Sequence, residues 1–321
     1  MLDVFFTVDV EIWCDGWHGI DEKFPGAFQK YIVGETPEGA YGVPYTMKVL
    51  SDHGLHGVFF VEPLFSARFG AQPLADIVGP ILEHPAHEVQ LHLHTEWVDE
   101  ARTPLLDAVR GKRQHLRYFS LDEQTRLVGT GAQLLRQAGV VDIHAFRAGS
   151  FAFNRDTLGA LRANGIGLDS SYNASHFGLD SGVLPGETVV EPIECDGVIE
   201  YPMTVFDDGS RALRHAQLTS CSFSEMTGLL WQALERGRHA FVVLSHGSEL
   251  LNPAKTRHDP VALRRFHKLC AFLARHSDCF RVRGFQDLIP QIASRQPSPL
   301  ASPIWKTGAR MLEQAYRRIY R

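Results

Sequence analysis

The sequence predicts an α/β protein, a distorted or incomplete (β/α) barrel built as a single domain. Three observations predict it. Short apolar runs of strand length alternate with helical patterns of roughly 10–15 residues. The runs are apolar on both faces, as parallel strands buried between helices must be. The alternation also continues through most of the 321 residues, a length that suits one barrel. With 44% hydrophobic and 21% charged residues, disorder and coiled coil are excluded.

Taken in order, residues 4–8 read as a buried strand, and 43–53 as a helix ended by Gly54. Residues 57–61 are β-branched and aromatic, a second strand; 75–84 is helical and 88–92 a third strand. An amphipathic helix at 121–138 is closed by Gly139, and a strand follows at 143–147. The helix at 154–164 stops at Gly165 before a short strand at 166–169. Strands at 198–202, 241–245 and 280–282 complete the pattern, with helices at 224–236 and 261–276. Two segments break the alternation. Residues 12–42 hold Trp13, Trp17, six glycines, Pro25 and Pro37, an insertion after the first strand where a lid or substrate loop is expected. Residues 294–303 (SRQPSPLASP) read as a linker and 304–321 as a short aromatic and basic helix. The predicted organisation is therefore a barrel over 1–292 and a tail over 293–321.

The net charge of −5 argues against a nucleic-acid partner, which needs clustered basic charge to neutralise phosphates. That average is uneven. Residues 293–321 carry six basic residues and one acid, a net +5, which leaves −10 for residues 1–292. With Ile304, Trp305, Met311, Leu312 and Tyr316 interleaved, the tail suits peripheral contact with an anionic membrane, or equally docking on the acidic barrel. The first residues, Met1-Leu2-Asp3-Val4, place an acid where a signal peptide needs basic charge, and no apolar run approaches bilayer length. Cys14, Cys195, Cys221, Cys270 and Cys279 form no C-x-x-C pair and read as free thiols. Both points predict a cytoplasmic protein, with possible placement at the inner face of the membrane.

Polar residues gather at the carboxyl ends of the predicted strands, where β/α architectures build sites. Period-2 alternation puts Asp9 and Glu11 on one face of the first strand, and His92, His94 and Glu96 on one face of the third. Arg147, Asp169 and His246 end later strands. Taken singly, Asp169 suits a helix cap, Arg147 a structural ion pair and His246 a cap or core position. Their coincidence at five strand ends points instead to a divalent ion held by one carboxylate and two imidazoles, with a position open to water. The sixteen histidines of the chain agree with a metal site. Trp13, Trp97, Phe151 and Tyr172 lie near these ends, where flat rings stack on sugar faces or pack loops onto the barrel.

Asp9-Val10-Glu11, the stretch 50–61 (LSDHGLHGVFFV), His87-Glu88-Val89-Gln90-Leu91-His92, Phe146-Arg147-Ala148-Gly149-Ser150 and Leu244-Ser245-His246 follow one another as in the polysaccharide deacetylases. The chain resembles that family, of the NodB-homology and carbohydrate esterase family 4 type, over about residues 4–290. The resemblance implies a distorted (β/α) barrel, a divalent metal, usually zinc, and hydrolysis of an N- or O-acetyl group from a sugar. Asp9 matches the general base. The family's second acid, a metal ligand, meets Val10, so that role passes to Glu11, as in members with D-x-D or D-x-E spacing. His92 matches the first metal histidine; the position four residues on is Glu96, so either His94 or Glu96 completes the metal set. Arg147 matches the arginine that orients the base, Asp169 falls near the groove-lining motif, and His246 matches the general acid. The implied protein is a metal-dependent hydrolase acting on C–N bonds other than peptide bonds, N-deacetylating a precursor of a surface polysaccharide or lipopolysaccharide. Two competing readings remain: a metal-free glycosidase using two of the carboxylates, and a sugar-binding barrel with a degenerate site.

Overall fold

The computed structural model describes residues 1–107 and 111–319, with side chains through 315. In chain order the elements are β1 (Leu2–Val10), α1 (Ile20–Phe28), the short strands β2 (Glu35–Thr36) and β3 (Gly39–Ala40), α2 (Val43–Asp52) and β4 (Gly57–Val61). Next come α3 (Ser66–Phe69), α4 (Ala71–Leu82), β5 (His87–Leu93), α5 (Leu121–Gln137), β6 (Ala145–Ala148), α6 (Arg155–Ala163) and β7 (Leu168–Asp169). The chain continues with β8 (Ile193–Cys195), β9 (Val198–Glu200), β10 (Val205–Asp207), β11 (Leu213–His215), α7 (Phe223–Glu235) and β12 (Ala240–His246). It ends with α8 (Pro260–Arg275), β13 (Phe280–Val282), β14 (Leu300–Ala301) and α9 (Ile304–Ile319). The strand–helix alternation read from sequence is present, and the long helices start where the chain supplies caps. Ser120 with Glu123, Asn154 with Thr157 and Ser222 with Glu225 close capping boxes at α5, α6 and α7, and Asp259 caps α8 ahead of Pro260.

The chain divides into two compact, discontinuous units. One comprises Met1–Gly57, Thr204–Arg283 and Pro299–Arg321; the other comprises Val58–Met203 and Gly284–Ser298. The change from one unit to the other falls inside the Pro/Ser segment, between Ser298 and Pro299. Leu300 is buried and pairs with Phe206 as β14 adds to β10, so the first unit takes up the chain from 299 onward. Gln296 is held in the second unit, its Oε1 accepting from Val190 N at 2.7 Å and Glu191 N at 2.9 Å.

In the first unit β1 lies between β12 and β13, parallel to both. Val4, Phe5, Phe6 and Val8 are fully buried, and Phe6 meets Phe266 of α8 at 5.7 Å between ring centroids. Burial on both faces is what an apolar central strand between helices requires, and each such side chain contributes about 1.5–3 kcal/mol of transfer free energy. In the second unit the strand order is β4-β5-β6-β7-β9-β8, with β5, β6, β7 and β9 running parallel and β8 antiparallel to β9. The carboxyl ends of β5, β6 and β7 therefore fall together. Among the described residues no helix is long and apolar enough to cross a membrane.

The segment 12–42 is more ordered than a lid loop. Helix α1 buries Ile20, Phe24 and Ala27, a π-helical turn follows at Gln29–Val33, and β2 and β3 form a hairpin. Gly34, at φ 67, and Gly42 let the two ends of this hairpin touch. Tyr41 N donates to Gly34 O and Gly42 N to Val33 O, each at 3.0 Å. A Cβ on Gly42 would overlap Ile32 O and come within 2.6 Å of Val33 C, backbone that cannot swing aside. Gly42→Ala is therefore expected to destabilise the protein by about 1–3 kcal/mol, the usual range for overpacking. A denaturant midpoint equal to the wild type would show that this approach of backbones is dispensable.

Candidate active site

The first unit carries one half of the predicted constellation. The parallel register of β1 with β12 sets Asp9 opposite His246. Asp9 is 3% exposed, and Glu11 follows just past the strand, where Trp13 Nε1 donates to its Oε2 at 2.6 Å. One ligand atom each of Asp9, Glu11 and His246 lie within 4.8 Å of one another, a donor set with the composition of a divalent-metal or proton-transfer site. These residues line a cavity of about 410 Å³ together with Trp13, Tyr31, Glu249 and Lys255.

His246 is held from both sides. Its Nδ1 lies 3.2 Å from Glu249 Oε2 and its Nε2 lies 4.0 Å from Glu11 Oε1. Burial alone would favour the neutral imidazole. The hydrogen bond and charge of Glu249, with the charges of Glu11 and Asp9, outweigh it and raise His246 to about 9. Burial also works against the Glu249 carboxylate, yet its bonds to His246 and to the backbone N–H and hydroxyl of Thr219 hold its pKa below the ordinary value. The pair is thus a half-exposed imidazolium on a buried carboxylate, with the carboxylate anchored by Thr219.

The second unit carries the other half. His92 and His94 leave β5 with ring centroids 4.9 Å apart. His92 Nδ1 lies 2.8 Å from the carbonyl oxygen of Arg147, and His94 Nδ1 lies 3.2 Å from Glu96 Oε2. Both partners accept, so each imidazole donates from Nδ1, and in its neutral form each carries the lone pair on Nε2. That is the tautomer and outer partner of metal-ligating histidines. Gly149 allows the strands to meet here: a Cβ on it would stand 2.7 Å from both His94 Nδ1 and Leu93 O. Ser150 and Phe151 follow in left-handed backbone, φ 55 and 58, strain of the kind retained at sites. Arg147 is fully buried, donates from Nε to Ser170 O and from Nη2 to Ser170 Oγ, both at 3.1 Å, and lies 4.2 Å from the centroid of Phe60.

No family model matches the sequence, and no curated protein matches it. Solved structures do. A putative polysaccharide deacetylase from Mycobacterium smegmatis is 20% identical, with 92% of this chain and 95% of that one covered at a TM-score of 0.51. The chain has the polysaccharide-deacetylase fold. A 4-alpha-glucanotransferase from Thermococcus litoralis is also similar, 12% identical at a TM-score of 0.53, with 94% of this chain and 42% of that one covered. At these identities the likeness is one of fold.

On this deacetylase fold the predicted residues are not equally placed. Trp13 faces the cavity of the first unit and meets Trp17 edge-on at 6.2 Å. Trp97 is 1% exposed between Phe65 and Phe69, so it packs the fold and offers no face to a glycan. Tyr172 is fully buried, its hydroxyl donating to Glu187 O at 3.4 Å and accepting from Val189 N at 3.3 Å. Phe151 is 8% exposed against His176. Asp169 does not line a groove either; it is fully buried and faces Glu200, its register partner on β9.

Glu200 was not read from the sequence, although it lies within the strand expected at 198–202 and ends the observed β9. Ser171 Oγ donates to Asp169 Oδ1 at 2.5 Å and Tyr172 N donates to Glu200 Oε1 at 3.0 Å. Burial, first, raises both pKa values; the Asp169 charge and hydrogen bond raise Glu200 further, whereas the hydrogen bond from Glu200 lowers Asp169, so the pair keeps a proton that Glu200 holds in preference. Glu249 and Lys255 were also missed. The sequence signal for Glu249 is its place one helical turn after His246; Lys255 had none. Lys255 stands at φ 57 with its Nζ donating to Ser248 O at 3.2 Å, and burial depresses its pKa.

Two outcomes follow from these charges. A histidine raised to about 9 contributes stability that is present below its ordinary value near 6.5 and is lost as pH rises through 9. Glu249→Gln leaves burial without the compensating charge, so in the metal-free protein the His246 ring is expected to titrate well below 9; an NMR titration still centred there would remove Glu249 from this role. For the Asp169–Glu200 pair the folded pKa values lie above the unfolded ones, so its contribution falls as pH climbs from about 4 through 6 and beyond. Asp169→Asn should flatten the decline of thermal stability between pH 5 and 8, and an unchanged slope would show that the pair holds no shared proton.

Proposed function

We propose that this protein is a metal-dependent carbohydrate deacetylase, removing an acetyl group, from nitrogen in preference to oxygen, from a sugar of a surface polysaccharide or lipopolysaccharide precursor. The observation that carries the reading is the tautomer of His92 and His94: each donates from Nδ1, to Arg147 O and to Glu96, and so presents Nε2 as a donor atom to a metal. Zinc suits an imidazole and carboxylate set. Glu11, His92 and His94 are assigned as ligands, and Glu96 as the carboxylate that orients His94. When bound, the metal supplies Lewis acidity, polarising the acetyl carbonyl and lowering the pKa of water from 15.7.

The remaining work falls to the chain's own groups. Asp9 is the general base; its carboxylate takes a proton from the attacking water, and Arg147 is assigned to orient it. His246, charged at neutral pH through Glu249, donates its proton to the departing amine nitrogen. Without that proton the leaving group would depart as an amide anion, so a group that enters the step protonated serves an N-acetyl substrate. Asp9 then releases the proton it took to solvent and His246 takes one up from solvent, the hydrogen bond to Glu249 favouring its uptake. Trp13 forms an apolar wall of the cavity against which a sugar face stacks, while the neighbouring carboxylates hold hydroxyl groups.

The test is acetate release from a panel of acetylated sugars, nucleotide-sugars and lipid-linked glycans, with metal content measured in parallel. Stoichiometric zinc and release abolished by a chelator are expected. Asp9→Asn should keep its fold and metal yet lose about 100-fold or more in turnover, the size of a general-base contribution. Chelator-insensitive cleavage of glycosidic bonds would transfer the site to a two-carboxylate glycosidase, and tight metal with no acetate released from any substrate to a sugar-binding protein.

A further inference from the structure

Helix α9 is amphipathic in the opposite sense to a helix laid on a protein core. Its polar face turns inward. Thr307 is 7% exposed and its Oγ1 donates to Asp208 O at 2.8 Å; Lys306 Nζ donates to Ser224 O at 2.8 Å. Arg265 Nη2 pairs with Glu313 Oε2 at 2.5 Å, and Arg310 Nε stands 3.8 Å from Glu225 Oε1. The apolar face turns outward. Ile304 is 62% exposed, Trp305 65%, Met311 59% and Leu312 74%. At 100° per residue these four fall on one stripe with Gly308 and Ala315 between them, while 306, 307, 310, 313 and 314 fall on the other side. A contiguous row of large apolar side chains in water, on a helix whose own core contacts are hydrogen bonds and ion pairs, marks an interaction surface.

We infer that this stripe seats the protein on an anionic lipid surface. Charge selects that occupant. The single acid of the tail, Glu313, is already neutralised by Arg265, whereas the sequence continues into Arg317, Arg318 and Arg321. The tail is therefore cationic on a chain of net −5, and anionic headgroups attract this end while repelling the rest. A second copy seated on the same stripe would bring two cationic tails together with no acid to compensate them. Trp305 and Ile304 at one end of the stripe, with Met311 and Leu312 two turns on, match an interfacial helix lying in the plane of a membrane, the indole at headgroup depth. The surface is preformed: β14 pairs with β10 immediately before the helix, and the polar underside fixes its rotation, so no unfolding is needed to present the stripe.

The experiment is flotation of the full-length protein with vesicles of phosphatidylcholine alone and of phosphatidylcholine mixed with phosphatidylglycerol. Wild type is expected to float with the mixed vesicles, less so at high salt, and to remain behind with the neutral ones. The double variant Trp305→Ser/Leu312→Ser removes only exposed side chains, so its thermal midpoint should stay unchanged while vesicle binding falls at least tenfold. Arg317→Gln/Arg318→Gln/Arg321→Gln should weaken binding roughly fivefold per charge. Equal binding of variant and wild type, or no binding of wild type to anionic vesicles, overturns the inference. So does a wild-type dimer in sedimentation velocity that the double variant abolishes, which would assign the stripe to a second copy. None of these readouts uses acetate release, so the inference and the deacetylase reading fail independently.

Discussion

The first unit depends on neutralising acids at the carboxyl end of β1. Asp9, Glu11 and Glu249 meet around one cavity, and three carboxylates cannot stay ionised side by side without a partner. The parallel pairing of β1 with β12 supplies one, since it sets His246 opposite Asp9. That register runs along the strand pair from Asp3 opposite Ala240 to Asp9 opposite His246, most of it far from the chemistry, and a slip of one residue would turn His246 to the other face from Asp9. That pairing is thus what keeps the imidazolium among the acids. Glu249, held by Thr219, then sets how strongly His246 retains its proton.

The second unit solves a similar problem by other means. Asp169 and Glu200 are paired across β7 and β9 with full burial, and their repulsion is relieved by a proton held on the pair and by the nearby charge of Arg147. At the end of β5, two imidazoles are oriented by a backbone carbonyl and a carboxylate. The two devices differ in pH response: raised carboxyl groups favour acid conditions, and the His246–Glu249 pair persists up to about pH 9. Close backbone approach, through Gly149 under His94, makes the second arrangement possible, and the left-handed Ser150 and Phe151 are the accompanying strain.

Much of the fold was legible in the residues. Strands β4 and β13 match their predicted limits, and the helices α2, α5, α6, α7 and α8 fall within one or two residues of theirs, because caps and terminal glycines mark them locally. What escaped was structure whose stability is not local. Helix α1 contains Pro25 and two glycines' worth of turn signal on its flanks, yet burial of Ile20, Phe24 and Ala27 overrides them. The short strands β8, β10, β11 and β14 were not marked by a pattern of their own, and each is held by pairing with a neighbouring strand. Similarly, Trp97 and Tyr172 are aromatic residues near strand ends, as a sugar platform would be, and only packing reveals that they are interior.

By itself the sequence determined which chemical groups stand at the strand ends, since period-2 alternation and strand limits follow from the chain alone. It placed Asp9, Glu11, His92, His94, Arg147 and His246 there, and it placed an apolar row and a cationic end in the last helix. Tertiary structure decided what those groups are. Whether an imidazole is charged, which nitrogen bears its proton, whether a carboxyl is ionised, and which face of α9 meets water all depend on partners distant in sequence: Glu249 and Thr219, the Arg147 carbonyl, Glu200, and Arg265. Those quantities are energies of interaction between residues, and interaction energies exist only once the chain has brought the residues together.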